Sequence, residues 1–283
     1  MKVRVPASAA NLGPGFDVLA IALSKYIEVE LSPAKSLEIH ATGEGSDFPA
    51  DESHLAARVA RKILGHSNVL VSISSEIPLA RGLGSSAALA LAVAAACGAK
   101  DPLAEAIYFD GHGENAAASF YGGLVAAVKS DDKVAVRQFN LDERLGFVLL
   151  IPNKQLTTAD ARSVLPELIT RQDAIFNLGR MALLLSGLAD ADKLITQAGQ
   201  DRIHQNYRAQ LFPEAEEIMT KLTEAGAIMS CWSGAGSAIL GICASGKVQS
   251  VRDSGDLILA SVGLEGKSEA LSADHRGLIV LEP

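Results

Sequence analysis

The sequence predicts an α+β protein built as two intimately packed domains with irregular α/β layers. Strand-like alternation and helical periodicity occur in both halves of the 283-residue chain, and no steady βαβ rhythm links them. Hydrophobic residues make up 48% of the chain, enough for a core larger than one small domain needs.

The elements follow in order. KVRVP from Lys2, YIEVEL from Tyr26 and LEIHATG from Leu37 alternate as strands, with polar turns between them. Asp51 to Leu64 changes to a helical period, with Ser53 as its cap and Leu55, Val59, Ile63 and Leu64 on one face. NVLVSISSEI from Asn68 is a strand rich in β-branched residues. A glycine motif follows, then a helix to about Cys97, a second from Pro102 to Asp110, and a glycine-rich turn, DGHGEN. GLVAAV, KVAVRQF and GFVLLI read as strands that close a first domain at residues 1–152. In the second, residues 153–283, Thr158 to Gly199 is mostly helical and Pro213 to Ala225 is a helix, while AIMSCW, SAILGIC and LIVLE are strands. There is no internal repeat and no low-complexity segment.

A net charge of −8 and a pI near 5.3 argue against binding nucleic acid or anionic lipid through a general basic surface, so any phosphate must be held locally. The three cysteines form no C-x-x-C pair, and the chain opens MKVRVPAS without a basic-then-apolar leader, so a reduced, cytoplasmic protein is expected. LALAVAAAC, from Leu89 to Cys97, falls far short of the ~20 residues a membrane span needs. A homodimer is the default expectation for such a protein.

Four stretches carry candidate chemistry. In PLARGLGSSAA, from Pro78, Gly82 and Gly84 permit positive φ and close approach to a ligand, and the helix beginning near Ser85 offers unpaired N–H groups and a positive dipole end. Ser85 and Ser86 add hydroxyls for phosphate or Mg²⁺; the alternative is a tight strand-to-helix turn with Ser85 as N-cap. A dinucleotide site does not fit, since Pro78 to Arg81 separate the strand from the glycines, and the Walker-like GICASGKV and GLEGKS each miss a required residue. ASAANLGPGFDVLA, from Ala7, is a shaped loop that holds Asn11 and Asp17 around a Gly-Pro-Gly bend, either to grip a hydroxyl or as ordinary turn formers. Asp110, His112, Glu114 and Asn115 crowd one turn, suited to Mg²⁺ and a substrate rather than zinc, or simply solvated. CWSGAGSAILGI, from Cys231, sets Gly234 and Gly236 between two strands, as a hairpin or a second backbone near a ligand.

In this order PASAANLGPGFD, PLARGLGSSA and SGAGSA resemble the three motifs of the GHMP kinase superfamily, and NLGPGFDVLA resembles its homoserine kinase family. HGEN resembles that family's H-P-D-N segment, TTADAR its T-x-x-A-R helix start, and DRIHQNYR the stretch ending in a substrate-binding arginine. The resemblance implies a kinase that moves the γ-phosphate of ATP to the side-chain hydroxyl of L-homoserine on the route to threonine. It also implies ATP in a cleft between an N-terminal GHMP kinase domain and a ferredoxin-like C-terminal one. Pro78, Arg81, Gly82, Leu83, Gly84, Ser85, Ser86 and Ala87 would form the nucleotide loop, with Ser86 and Asp110 sharing Mg²⁺. Asn11 and Asp17 would hold the hydroxyl, Arg162 and Arg208 the α-carboxylate, and His112, Asn115, Thr158 and Gly234 would complete the pocket.

Some positions depart from the pattern. Asp110 stands where relatives carry a metal-binding glutamate, with Glu105 as the alternative upstream; Gly113 and Glu114 replace a proline and an aspartate; and His54 stands where relatives often have an asparagine near the nucleotide. Acceptors such as mevalonate or a sugar, and a nucleotide-binding regulator without catalysis, are the competing readings.

Overall fold

The computed structural model describes residues 1–130 and 133–282. In chain order the elements are β1 (Lys2–Ala10), β2 (Leu19–Pro33), β3 (Glu38–Gly43), α1 (Leu55–Leu64), β4 (Val69–Ser75), α2 (Ser85–Ala96), α3 (Pro102–Asp110) and α4 (Gly113–Tyr121). Then come β5 (Leu124–Ser130), β6 (Lys133–Phe139), β7 (Leu145–Pro152), α5 (Thr158–Ser163), α6 (Arg171–Ala189) and α7 (Gln205–Arg208). The chain closes with α8 (Ala215–Glu224), β8 (Met229–Trp232), β9 (Ile239–Ala244), α9 (Val248–Ser261), β10 (Gly266–Leu271) and β11 (Ile279–Glu282).

A seven-stranded sheet runs β11-β1-β2-β4-β3, with β5 pairing β2 and β6. Its register shifts between Pro6 and Ala7, where proline has no N–H to give the ladder, and β2 bends there to meet the other sheet through Ser24 N and Ser272 O. The second sheet, β10-β7-β9-β8, is antiparallel throughout, and with α8 and α9 packed on it this order is the predicted ferredoxin-like arrangement. The sheets do not divide at Pro152. Leu145–Pro152 is buried along its whole length and needs a strand on each side, which β9 and β10 supply, whereas β11 returns to β1.

Against the first sheet lies α2, buried on nearly every side by alanines small enough to let α1, α3, α4 and β1 approach closely. Four details differ from the sequence expectations. His54 rather than Ser53 caps α1, its Nδ1 accepting from Ala56 N–H at 3.1 Å. The HGEN turn continues at once into a helix, α4, that its run of alanines favours. Helix α9 and strand β10 also form where no element was expected, and Gly255 inside α9 is required by contact, since a Cβ there would lie 2.5 Å from the Cβ of Ser268.

Candidate active site

Each site segment is placed by an element end. Beyond β1 the chain turns through Gly13 and through Asn11, Leu12 and Asp17, three non-glycine residues with positive φ whose strain a bare turn would not hold. The Asn11 amide fixes it: Nδ2 donates to Gly234 O at 2.8 Å, and Oδ1 accepts from Asp17 N–H at 3.0 Å. Asp17 is thereby aimed at α5, where Arg162 Nη2 donates to its Oδ1 at 2.7 Å.

Arg162 Nε also donates to His112 Nε2 at 3.2 Å. An arginine only donates, so His112 must accept there and carry its proton on Nδ1, 3.4 Å from Asp110 Oδ2. The hydrogen bond to Asp110 raises the His112 pKa, against burial.

The glycine loop follows β4. Gly84, at φ +65°, is itself the cap of α2, and among the described residues no side-chain cap bond forms there. Ser85 is therefore not the cap; its hydroxyl and that of Ser86 are left for other work. Gly82 packs flat on the β8–β9 hairpin, where its O accepts from Ser233 Oγ at 2.8 Å, and Gly234 N–H of that hairpin donates to Ala10 O at 3.0 Å. Ser8 Oγ donates to Asn115 Oδ1 at 2.9 Å and so ties α4 to the same place.

Asn11, Asp17, Gly82, Leu83, Gly84, Ser85 and Ser86 line one cavity of about 250 Å³. Asp110, His112, Asn115, Thr158, Arg162, Arg208 and Gly234 close its other sides, together with Glu114. Three expected loop residues are not among its lining. Pro78 and Arg81 line a neighbouring cavity, and the Arg81 guanidinium is taken up by the carbonyls of Pro152 (2.7 Å), Leu79 (3.1 Å) and Asn153 (2.6 Å), bracing the loop rather than facing the site. Ala87 is wholly buried in the helix packing. Glu105, the alternative to Asp110, pairs with Lys62 outside the cavity.

An apolar cavity of about 490 Å³ shares Ala80, Ser85 and Ser86 as a wall and is lined by Phe48, His54, Leu55, Leu79 and Leu89. Burial lowers the His54 pKa, and its cap bond to Ala56 leaves Nε2 as the nitrogen that carries the proton.

Arg208 is the buried cation of the site, 2% exposed. Nε donates to Ala161 O at 3.3 Å, and Nη1 donates to Gly234 O at 2.8 Å and to His204 Nδ1 at 3.0 Å. Burial pushes its pKa down to about 10, so it remains charged at neutral pH. His204 was not singled out from sequence. It is fully buried, stacks on Phe16 with ring centroids 5.0 Å apart, and must accept from Arg208 on Nδ1, which leaves Nε2–H to donate to Gly13 O at 2.8 Å. One neutral ring therefore spans the Asp17 loop and the arginine; its place four residues before Arg208 was the available signal.

Burial first, with Arg208 adding to it, pushes the His204 pKa down to about 4. The ring is neutral when folded, while the unfolded chain takes up a proton near the ordinary value of about 6.5, so the stabilisation is whole above that pH and is lost as pH falls toward 4. Urea unfolding should show a loss on the order of 3 kcal/mol across this window, and His204→Gln should remove most of that slope.

A glycine loop at the mouth of a buried helix, facing a cavity with paired carboxylates and a buried arginine, defines a small-molecule kinase of the GHMP class: the GHMP kinases N terminal domain family matches residues 53–123, and GHMP kinases C terminal matches 181–255. A homoserine kinase of Caldanaerobacter subterraneus subsp. tengcongensis is 37% identical over 100% of this chain and 96% of its own, and that of Caldicellulosiruptor saccharolyticus is 36% identical over 99% and 96%. The chain belongs to the homoserine kinase family. The crystal structure of homoserine kinase from Cytophaga hutchinsonii superposes with a TM-score of 0.85 at 26% identity, covering 99% of this chain and 97% of that one. A mevalonate kinase from L. major, at 13% identity and a TM-score of 0.72 over 95% of each chain, shares the fold.

Proposed function

We propose that the chain transfers the γ-phosphate of ATP to the side-chain hydroxyl of L-homoserine, giving O-phospho-L-homoserine on the route to threonine. The observation that carries this is Arg208: its Nη2 has no partner among the described residues, and the residue lines the cavity that holds Asp17. A buried guanidinium with one free edge calls for a carboxylate, which an amino acid brings and a neutral sugar does not.

Arg208 takes the α-carboxylate and Arg162 lies beside it. Asp17 keeps Oδ2 unpartnered among the described residues, because Arg162 occupies Oδ1, and that oxygen orients the acceptor hydroxyl. Phosphoryl transfer passes through a loose transition state, so aiming the hydroxyl matters more than a strong base. The loop Gly82–Ser86 and the first N–H groups of α2 bind the triphosphate, and the apolar cavity beside His54 takes the base.

Magnesium fits the donors here. The Ser86 hydroxyl and the Asp110 carboxylate are hard oxygen ligands on the same cavity, and Glu114, whose pKa is raised by burial, adds a carboxylate that accepts from Asn115 Nδ2. Ser86 and Asp110 would hold the ion, and when bound it neutralises charge on the phosphates. A cytoplasmic setting is supported by three unpaired cysteines. Among the described residues no helix is long and apolar enough to cross a membrane.

The test is ADP release from purified protein with Mg-ATP against L-homoserine, L-serine, L-threonine, mevalonate and galactose. Turnover with homoserine alone is expected; turnover only with mevalonate or galactose overturns the acceptor reading.

A further inference from the structure

Helix α5, which carries Arg162 into the cavity, is placed by its tethers and not by packing. Of its six residues Ala161 alone is buried, and among the described residues beyond it none is buried before Asn177. What fixes it is therefore its other side, the connection that leaves β7. Three successive carbonyls there, of Pro152, Asn153 and Lys154, all accept from side chains far away in the sequence. Ser237 Oγ donates to the last. Arg81 serves the other two, Nε donating to Pro152 O at 2.7 Å and Nη2 to Asn153 O at 2.6 Å, while its Nη1 donates to Leu79 O at 3.1 Å in the glycine loop itself.

On the acceptor and phosphate placement proposed above, we infer that Arg81 is a positioning residue: its guanidinium joins the phosphate loop to the root of α5 and so sets where the acceptor's arginines stand. One planar fork reaches carbonyls of both segments at once, which a single ammonium group does not. Leu156 N–H closes the same joint by donating to Ala80 O at 3.1 Å, at an alanine held at a strained φ of +51°.

From this joint the chain runs along the cavity wall as Leu156 and Thr157. Thr157 Oγ1 then caps α5 by accepting from Asp160 N–H at 3.0 Å. A shift of the root therefore moves Arg162 from Asp17, and Ala161 O from Arg208 Nε. The phosphate loop has its own anchors, since Gly82 O accepts from Ser233 Oγ and the main-chain O of residue 81 accepts from Ala238 N–H at 3.2 Å. Losing the Arg81 side chain thus disturbs the acceptor more than the nucleotide.

Arg81→Met keeps an apolar stem and removes every donor. Its kcat/KM for L-homoserine should fall about 10- to 100-fold, chiefly through KM, while KM for ATP stays within about twofold. A mere loss of folded protein lowers kcat and leaves both KM values alone. Arg81→Lys should fall between, since it can serve one carbonyl at a time. In the same samples without substrates, hydrogen exchange should quicken about tenfold or more across residues 154–165 and stay unchanged across α2. Unchanged exchange in 154–165, an equal rise in α2, or equal rises in both KM values overturns the inference. Should Arg81→Met fail to fold, Arg81→Lys is read by the same criteria. If the wild-type protein turns over no homoserine, the acceptor reading fails and the exchange pattern alone decides whether Arg81 holds α5.

Discussion

Arg208→Ala should lower kcat/KM for L-homoserine by about 10²- to 10³-fold while leaving the Kd for ATP within about twofold. Truncating one side of a buried charge pair costs roughly 3–5 kcal/mol, because the remaining charge is stranded, and each 1.36 kcal/mol is a factor of ten. In the proposed complex the stranded charge is the acceptor's carboxylate. Arg162 cannot replace Arg208, since it is half exposed and already engaged by Asp17 and His112. The backbone around the lost side chain stays anchored, because Gly234 O keeps its bond from Asn11 Nδ2 and His204 keeps Gly13 O. Arg208→Lys should fall between the two: it retains the charge but not the fork that reaches Ala161 O and Gly234 O at once. Initial rates with each substrate varied, together with calorimetric ATP binding, separate the terms. An equal loss in ATP affinity would sink the assignment.

Much of this site was legible because its chemistry forces residue types. Gly13, Gly82 and Gly84 take positive φ, which glycine adopts without strain, so the two loops announce themselves. Arg81 was misplaced for the opposite reason. Its position in the motif is read from sequence, but where a long side chain points depends on carbonyls at Pro152 and Asn153, some seventy residues on. His204 escaped notice because a histidine beside Arg208 gains meaning only from Gly13 and Phe16, which a single loop far back in the chain brings to it.

Fold followed the same division. Alternation revealed most strands, yet sheet membership of β7 is decided by partners β9 and β10 far along the chain, and nothing within LGFVLLIP marks it. GKSEAL is too charged to read as a strand by pattern, and Gly255 masks α9 as a helix.

Gly82→Ala should be as damaging as the loss of Arg208, and to both substrates at once. A Cβ on Gly82 would sit 1.9 Å from Ser233 O and 2.7 Å from Gly236 N, both backbone atoms of the β8–β9 hairpin with no rotamer to move. Loop and hairpin must therefore separate. The loop is the proposed triphosphate site, and the hairpin carries Gly234, whose carbonyl anchors Asn11 and Arg208. We expect kcat/KM to fall at least ~10²-fold for ATP and for homoserine alike, since a displacement of about 1 Å in positioned groups is enough for that. Strain from positive φ is a competing explanation, worth about 1–2 kcal/mol for an alanine. Gly98 isolates it. It follows the other end of the same helix, has the same φ of +73°, and has nothing within 4 Å of its Cβ position. Gly98→Ala should thus cost stability in urea unfolding and leave both kinetic constants unchanged. If the two variants instead lost activity in parallel, backbone strain transmitted through α2 would govern the loop, and the contact with Ser233 would not.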